Sequence, residues 1–360
     1  MQPVTIKCFT DSGCSAYLIG CRATGQALLV DPKAGKQATY LQAARDFGLR
    51  IVAVLDTHTH ADHLSGSSGL AKDGVELWMS ADSRCARPHR RLEDGESVKV
   101  GELAFRVIAV PGHTDDSIAL FGHGLVVTGD SLLVGGLARA DFRGSDPARL
   151  FDSVAKKLAS LPDETIVFAG HNYRDLLFST IGHEKRHNPD LQFAGGAEFA
   201  RHVAVVEGAG NSPDVDAILA LNLEADPKLP DSGAPVAACC AAGPSVPSGP
   251  RPVEQTPEEL APQRTRFTES SNWFDVRDPH EYRAAHIPGA QSYPLSELGF
   301  HLRELARKDP VVLSCRSGVR SMTAAKTLRY LGVLDQPINM TGGILRWTEL
   351  RLPVESGAAR

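Results

Sequence analysis

From residue 57 to residue 63 the chain reads Thr57-His58-Thr59-His60-Ala61-Asp62-His63. Three imidazoles and one carboxylate fall within six positions, directly after the apolar run at residues 51–55, which predicts a buried β-strand. Imidazole and carboxylate groups are common ligands of transition metals. The stretch therefore predicts a metal site where this strand ends.

Three more residues of the same type follow three other predicted strands. They are His113, Asp130 and His171, and each comes two or three residues after an apolar run and directly after a glycine. Loops at one edge of a sheet are held near one another by the strands, and glycine permits tight turns. We therefore expect the four segments to form one metal centre. Histidines outside this pattern are expected to be structural, namely His89, His123, His183, His187 and His202.

The residues alone allow two metal arrangements. Two histidines and a carboxylate with open coordination positions are typical of non-haem iron(II) oxygenases. A second ion at Asp62, His63, Asp130 and His171 would instead give the two-metal centre of a hydrolase. The pattern does not choose between them.

Length and composition predict two domains. The 360 residues exceed one typical domain, and residues 227–254 are rich in Pro, Ala, Gly and Ser, which favours a linker. We place the first domain at residues 1–226 and the second at residues 255–360. Alternating strand and helix patterns predict an α/β fold, with a mainly parallel sheet in the second domain. The predicted strands are residues 27–30, 51–55, 105–110, 125–128, 165–168, 273–276, 311–313 and 337–340, and the predicted helices are residues 150–161 and 321–330.

The second domain carries a cysteine between a predicted strand and a predicted helix, in the stretch Ser314-Cys315-Arg316-Ser317-Gly318-Val319-Arg320-Ser321. Backbone N–H groups of such a loop and the positive end of the helix would surround the sulfur and favour negative charge there. We therefore expect Cys315 to be a nucleophile. The expected sulfur-anion-binding loop is Arg316, Ser317, Gly318, Val319 and Arg320. The pair Cys239-Cys240 falls in the predicted linker, and we assign it no role.

The first motif, His58-x-His60-x-Asp62-His63 with His113, Asp130 and His171, resembles the metallo-β-lactamase superfamily over roughly residues 1–225. The resemblance implies a sandwich of two sheets with helices outside, an αββα arrangement. Two branches compete, namely glyoxalase II thioester hydrolases, which use all seven positions for two zinc ions, and persulfide dioxygenases, which hold one iron(II). The stretches at residues 135–142, 170–175 and 188–189 resemble the persulfide dioxygenase branch.

That branch implies a ligand set and a reaction. The iron ligands would be His58, His113 and Asp130, and the neighbouring groups that orient them would be His60, Asp62, His63 and His171. Arg139 and Tyr173 are the candidates for holding the substrate, because guanidinium suits carboxylates and a tyrosine hydroxyl is directional. Glutathione persulfide would be oxidised by O₂ to sulfite and glutathione.

The six-residue loop from Cys315 to Arg320 resembles the active-site loop of the rhodanese homology domain, together with the stretches at residues 275–282, 286–290 and 342–347. The resemblance covers about residues 255–356. It implies that Cys315 accepts a sulfane sulfur from thiosulfate and passes it, as a persulfide, to an acceptor such as glutathione. Asp275 and Arg277 would support the loop.

The charge balance limits the partners. A formal net charge of −5 gives no broad positive field, which argues against nucleic acid and membrane surfaces. Residues 1–10 contain one cation and no sustained apolar run, and the seven cysteines are scattered, so we expect a cytoplasmic protein. The expected partners are glutathione persulfide, glutathione, thiosulfate, sulfite and O₂, and the sequence allows a homodimer.

Overall fold

The computed structural model describes residues 3–72, 74–142, 144–206, 213–224 and 251–357. These residues form two units, one of residues 3–173, 179–206 and 213–224, the other of residues 174–178 and 251–357. Residues 227–250 of the predicted linker, with Cys239 and Cys240, lie outside the described residues. The domain limits drawn from composition therefore stay a prediction. Within the described residues no helix combines the length and the apolar character that a membrane crossing needs.

The first unit contains two sheets of six strands. The first sheet consists of β1 Val4–Asp11, β2 Cys14–Cys21, β3 Gln26–Val30, β4 Arg50–Leu55, β5 Glu76–Ser80 and β6 Arg90–Leu92. These strands neighbour one another in sequence order, antiparallel as far as β3 and parallel from β3 to β6.

The second sheet has the order β14-β13-β10-β9-β8-β7, in which only β10 and β13 are parallel, and a small hairpin of β11 and β12 follows β10. The strands are β7 Ser97–Val100, β8 Leu103–Ala109, β9 Ile118–Gly122, β10 Leu125–Gly129, β11 Leu132–Leu133, β12 Gly136–Leu137, β13 Ile166–Ala169 and β14 Ser179–Thr180.

Helices pack around the two sheets. They are α1 Gln37–Asp46, α2 Ser67–Leu70, α3 Pro147–Ser153, α4 Ile181–His187, α5 Gly196–Val206 and α6 Pro213–Leu223. Tyr40 of α1 packs on the first sheet, and Phe199 of α5 packs on the second. Tyr17 of β2 and Phe168 of β13 meet between the sheets, with 5.4 Å between ring centroids. The predicted αββα sandwich is confirmed.

The helix predicted at residues 150–161 differs from the observed one. The α-helix begins at Pro147, where the Asp146 side chain accepts a hydrogen bond from Arg149 N, and it ends at Ser153. It continues as a π-helical turn, Val154–Leu158. The core residues of this segment recur every four positions, a longer spacing than the 3.6-residue period of an α-helix. The wider π-helical turn therefore keeps Val154 and Leu158 on the same face, where both are fully buried.

The second unit has one parallel sheet of order β15-β19-β18-β16-β17, as predicted. Its strands are β15 Val253–Gln255, β16 Trp273–Asp275, β17 Gln291–Ser292, β18 Val312–Ser314 and β19 Ile338–Met340. Its helices are α7 Pro257–Leu260, α8 Arg264–Glu269, α9 Pro279–Ala284, α10 Leu302–Leu305, α11 Val319–Tyr330 and α12 Gly343–Glu349.

A glycine beside one candidate ligand gives a test of this packing. Gly112 has a φ of +143°, and a Cβ there would lie 2.2 Å from the backbone N of Leu150 in α3. We expect Gly112→Ala to lower the free energy of unfolding of the first unit by roughly 2–4 kcal/mol, because strain and overpacking add. The control Gly144→Ala has a φ of +90° with nothing within 4 Å, so it should lose only about 1 kcal/mol. Native-state hydrogen exchange of the β10 amides measures both. Equal losses would show that contact with α3 is not the cause.

Candidate metal centre and cysteine loop

The loop after β4 is held by two buried carboxylates. Asp31, directly after β3, accepts hydrogen bonds from Thr57 N at 2.7 Å and Thr57 Oγ1 at 2.8 Å. Asp116 accepts from Thr59 N at 3.2 Å and Thr59 Oγ1 at 2.6 Å. The two threonines of the motif therefore fix the backbone on either side of His58, so the His58 side chain remains available to bind a metal. The four candidate ligands of this loop are all buried, namely His58, His60, Asp62 and His63.

Three of the predicted ligands come together at one point. Asp130 Oδ2 lies 3.8 Å from His58 Nε2 and 3.6 Å from His113 Nε2. One ligand atom from each of these residues lies within 4.8 Å of the others. Separations of this size let three side chains share one metal ion.

Hydrogen bonds turn the correct nitrogen of each histidine toward this point. His113 Nδ1 donates to the carbonyl of Arg139 at 2.8 Å. His58 Nδ1 lies 3.0 Å from Thr57 Oγ1, whose own hydrogen goes to Asp31, so Nδ1 is the donor. Each Nε2 then carries no hydrogen and offers a lone pair. Burial and neighbouring His60 lower the pKa of His58 to about 3, which keeps this ring neutral.

The same point contains a buried acceptor without a partner. His58 Nε2 has no hydrogen-bonding partner within the part of the chain that the structure describes. A buried polar atom of this kind is costly unless something binds it. The two imidazole lone pairs and the carboxylate therefore fit a divalent transition metal.

A second cluster is centred on Asp62. Its Oδ2 lies 3.0 Å from His63 Nδ1, 3.1 Å from His171 Nε2 and 3.2 Å from Cys14 Sγ. The other nitrogen of His171 lies 2.8 Å from Asp130 Oδ1, so His171 bridges two carboxylates. His171 thereby orients Asp130 toward the first cluster.

The charges in the second cluster support one another. Burial opposes ionisation of His63, but Asp62 outweighs it and raises the pKa of His63 to about 10. Burial likewise opposes ionisation of His171, and Asp130 is the main group that raises the pKa of His171 well above its usual value. Burial would raise the pKa of Asp130, but His171 holds it below its usual value. The cluster is a network of ion pairs.

Sequence reasoning missed Cys14. It is the first residue of β2, 6% exposed, and with Asp62 and His63 it forms a second group of metal-type donors within 4.8 Å. Its position depends on the β1–β2 hairpin, where Ser15 N donates to the Gly170 carbonyl at 2.7 Å. No local pattern around residue 14 signals this, because the contact is entirely tertiary.

The remaining predicted site residues of this domain lie beside the candidate metal ligands. Tyr173 is 37% exposed and stacks on His171, with 5.2 Å between ring centroids. Arg139 donates from Nε and Nη2 to the two oxygens of Asp141 at 2.7 and 3.0 Å. Its carbonyl is the group that orients His113. His60 Nε2 is 3.3 Å from Asp31 Oδ1, on the side of the loop that Asp31 fixes.

In the second unit Cys315 follows β18 and precedes α11. Its sulfur accepts a hydrogen bond from Gly318 N at 3.1 Å and lies 3.3 Å from Ser321 Oγ. The carbonyls of Cys315 and Arg316 accept instead from the first turn of α12, from Ile344 N at 2.9 Å and Leu345 N at 3.1 Å. The carbonyls of Cys315 and Arg316 are thus bound to α12, and the Gly318 N–H is directed at the sulfur.

The two arginines of this loop differ in environment. Arg320 donates to both oxygens of Glu281 at 2.6 and 2.7 Å, and this pairing outweighs burial and lowers the pKa of Glu281 to about 2. Arg316 and Ser317 are exposed, and Val319 is 69% exposed. The loop therefore presents Arg316 to solvent, while Arg320 fastens α11 to α9.

Asp275 and Arg277 form a buried ion pair. Arg277 Nε lies 2.9 Å from Asp275 Oδ1, and Arg277 Nη2 donates to the carbonyl of Ala285 at 2.6 Å. The pair joins the end of β16 to the end of α9.

Comparison with known proteins supports both halves of this description. The Metallo-beta-lactamase superfamily model matches residues 9–171, and the Rhodanese-like domain model matches residues 256–350. The mitochondrial persulfide dioxygenase ETHE1 of Bos taurus is 34% identical over 195 residues, which cover 52% of this chain and 76% of the relative. A hydroxyacylglutathione hydrolase of Xanthomonas euvesicatoria is 37% identical over 48% of this chain and 66% of the relative.

A solved structure that resembles this chain is also an ETHE1. The crystal structure of ETHE1 from Myxococcus xanthus is 36% identical, covers 60% of this chain and 97% of its own, and has a TM-score of 0.57. The resemblances inferred from the two motifs are thus confirmed, and a metal cofactor is indicated. The chain belongs to the metallo-β-lactamase superfamily, in the family of the persulfide dioxygenase ETHE1, and joins to it a rhodanese-like domain.

Proposed function

We propose that the first domain oxidises glutathione persulfide with O₂ at one iron(II) ion, and that Cys315 transfers sulfur between thiosulfate and glutathione. The observation that supports the first activity is the buried, unpartnered Nε2 of His58 beside His113 Nε2 and Asp130 Oδ2. Two imidazoles and one carboxylate are the ligand set of many iron(II) oxygenases. ETHE1 relatives carry the name of this activity.

The residues that would hold the ion are His58, His113 and Asp130. Iron(II), when bound, supplies a site where O₂ and a sulfur anion can be brought together and O₂ can be reduced. The protein holds the donors in place beforehand, since Thr57 fixes one imidazole, the Arg139 carbonyl fixes the other, and His171 fixes the carboxylate. Three donors leave open positions for the reactants.

The overall reaction balances as GSSH + O₂ + H₂O → GSH + SO₃²⁻ + 2 H⁺. The S–S bond breaks, the outer sulfur loses four electrons to O₂, and water supplies the third oxygen of sulfite. Tyr173, half-exposed beside His171, and Arg139, held by Asp141, are the residues we propose to hold the substrate. A guanidinium there suits the carboxylates of glutathione.

In the second domain the Cys315 thiolate would attack the outer sulfur of thiosulfate. Sulfite leaves and a Cys315 persulfide forms, as Cys–S⁻ + S₂O₃²⁻ → Cys–S–S⁻ + SO₃²⁻. Glutathione then takes the sulfur, as Cys–S–S⁻ + GSH → Cys–S⁻ + GSSH. The Gly318 N–H stabilises negative charge on the cysteine sulfur, and the exposed Arg316 attracts the anionic donor.

A second candidate is a two-zinc thioester hydrolase. The hydroxyacylglutathione hydrolase relative favours it, as does the donor group of Cys14, Asp62 and His63. The contacts around Asp62 support the single-iron proposal instead, because three protein groups already bind its Oδ2.

The two candidates differ in cofactor and in use of O₂. We expect the purified chain to hold one iron, to consume one O₂ for each glutathione persulfide, and to release sulfite. A chelator should reduce O₂ uptake to the rate without protein, and added iron(II) should restore it. Metal analysis and an oxygen electrode make these measurements. Two bound zinc ions and hydrolysis of a glutathione thioester without O₂ uptake would refute the proposal.

Removing one ligand should separate the two activities. Asp130→Ala deletes the carboxylate of the proposed iron site and the partner of His171, so iron affinity should fall by more than about 100-fold, beyond the effect of losing an orienting group. Oxygen uptake should fall with it. Thiosulfate-dependent sulfur transfer, measured as sulfite release, should remain. Unchanged iron content in this variant would rule out the proposed ligand set.

The reciprocal change is Cys315→Ser, which removes the sulfur nucleophile. Thiosulfate-dependent transfer should drop to the uncatalysed rate, because a serine hydroxyl cannot carry sulfane sulfur. Oxygen uptake on supplied glutathione persulfide should be unchanged. The matched control is Cys8→Ser, at a partly exposed cysteine of β1, which should keep both activities. If Cys315→Ser abolished oxygen uptake too, the sites would not be independent.

A further inference from the structure

The helix α6 lies against the loop that carries the candidate ligands. Ile218 of α6 is fully buried and packs on Ala61 and Leu64, which stand on either side of Asp62 and His63. The superfamily match ends at residue 171, so α6 is outside it. Composition places α6 just before the predicted linker, and nothing in the motif points to it.

One side chain of α6 makes three hydrogen bonds to the backbone of the loop. Asn222 Nδ2 donates to the carbonyl of His60 at 2.8 Å and to the carbonyl of His63 at 2.9 Å. Asn222 Oδ1 accepts from Ser65 N at 3.0 Å. Asn222 is 4% exposed, so water does not compete for these bonds. The amide thus fixes the backbone at both ends of the segment that contains Asp62.

Hydrogen bonds also hold the C-terminal end of α6 in place. Arg87 Nη2 donates to the carbonyl of Asn222 at 3.0 Å, and Arg87 Nη1 donates to Ser68 Oγ at 2.6 Å. The same guanidinium lies 3.8 Å from Asp56 Oδ2. The carbonyl of Leu223 accepts from the backbone N–H of residue 86 at 2.9 Å. Asn222 is therefore held at a fixed distance from the loop.

The restraint on the loop passes to the proposed ligands through short contacts. Asp62 lies between the two carbonyls that Asn222 binds, and its Oδ2 is 3.1 Å from His171 Nε2. His171 Nδ1 is 2.8 Å from Asp130 Oδ1. A shift of the loop backbone would move Asp62, and with it the imidazole that orients Asp130. Groups that orient metal ligands commonly affect metal affinity by about 10- to 100-fold.

We infer that Asn222 is a positioning residue of the metal centre, and that α6 is part of that centre although it lies beyond the superfamily match. The inference rests on the proposed site of His58, His113 and Asp130, but on neither of the two reactions. It predicts an effect on metal binding itself.

The test compares two buried asparagines of similar bonding. Asn222→Ala removes three hydrogen bonds to the ligand loop. Asn188→Ala, the control, removes bonds to Gly136, Glu184 and Asp190 at 2.8–3.1 Å from a fully buried asparagine, and none of them reaches the ligand loop. Asn222→Gln keeps the amide but displaces it by one methylene, so it remains informative if the alanine variant fails to fold.

The readouts are the affinity for Co²⁺, the visible absorption of the Co²⁺ form, and urea unfolding of the full-length chain. We expect Asn222→Ala to lower the Co²⁺ affinity by roughly 10- to 100-fold and to change the absorption bands. Asn222→Gln should show a smaller loss. Asn188→Ala should lower stability to a similar degree and keep wild-type affinity and spectrum.

Four outcomes decide the inference. Wild-type Co²⁺ affinity and spectrum in both Asn222 variants would overturn it, and so would an equal loss of affinity in Asn188→Ala, which would indicate general destabilisation. A selective loss in the Asn222 variants supports it. A wild-type chain that binds no Co²⁺ would instead overturn the proposed metal centre, and the inference with it.

Discussion

The first unit depends on keeping the Asp130 carboxylate ionised inside the protein. It is 5% exposed, and an unpaired charge at such a position costs several kcal/mol. His171 at 2.8 Å compensates this charge, while the Nε2 atoms of His113 and His58 lie 3.6 and 3.8 Å from the carboxylate. These residues come from four separate strand ends, so the network forms only when both sheets are in register. The parallel pairing of β10 and β13 matters most, because it sets Asp130 beside His171.

Much of this arrangement could be predicted from strand ends. A ligand-type residue that closely follows an apolar run is expected at a sheet edge, and His58, His113, Asp130 and His171 all meet this condition, the last three directly after a glycine. The parallel sheet around Cys315 could be predicted for a similar reason, since its strands alternate with helical segments. Local patterns were sufficient wherever the position of a residue is fixed by its own strand.

Prediction failed where a partner comes from elsewhere in the fold. Cys14 reaches Asp62 through a hairpin contact, and Asn222 reaches the ligand loop from a helix about 160 positions later in the chain. Neither residue stands in a local motif. Arg320 likewise has a partner that the local pattern does not indicate, because its guanidinium donates to both oxygens of Glu281 in α9. Hydrogen-bonding partners of this kind depend on tertiary packing, which composition and periodicity do not encode.

The choice between one metal and two depends on hydrogens as well as on geometry. An ionised carboxylate can only accept, so each contact to Asp62 Oδ2 places a hydrogen on His63, His171 or Cys14. A metal at that cluster would have to displace the hydrogens of His171 Nε2 and Cys14 Sγ, because ligands bind in their deprotonated form, whereas His63 could offer its Nε2, which has no partner among the described residues. At the other cluster His58 and His113 already turn lone pairs toward Asp130. The first cluster can therefore receive an ion without a change in these hydrogen bonds, whereas at the second cluster His171 and Cys14 would have to give up hydrogens, and this difference supports the proposed mononuclear centre.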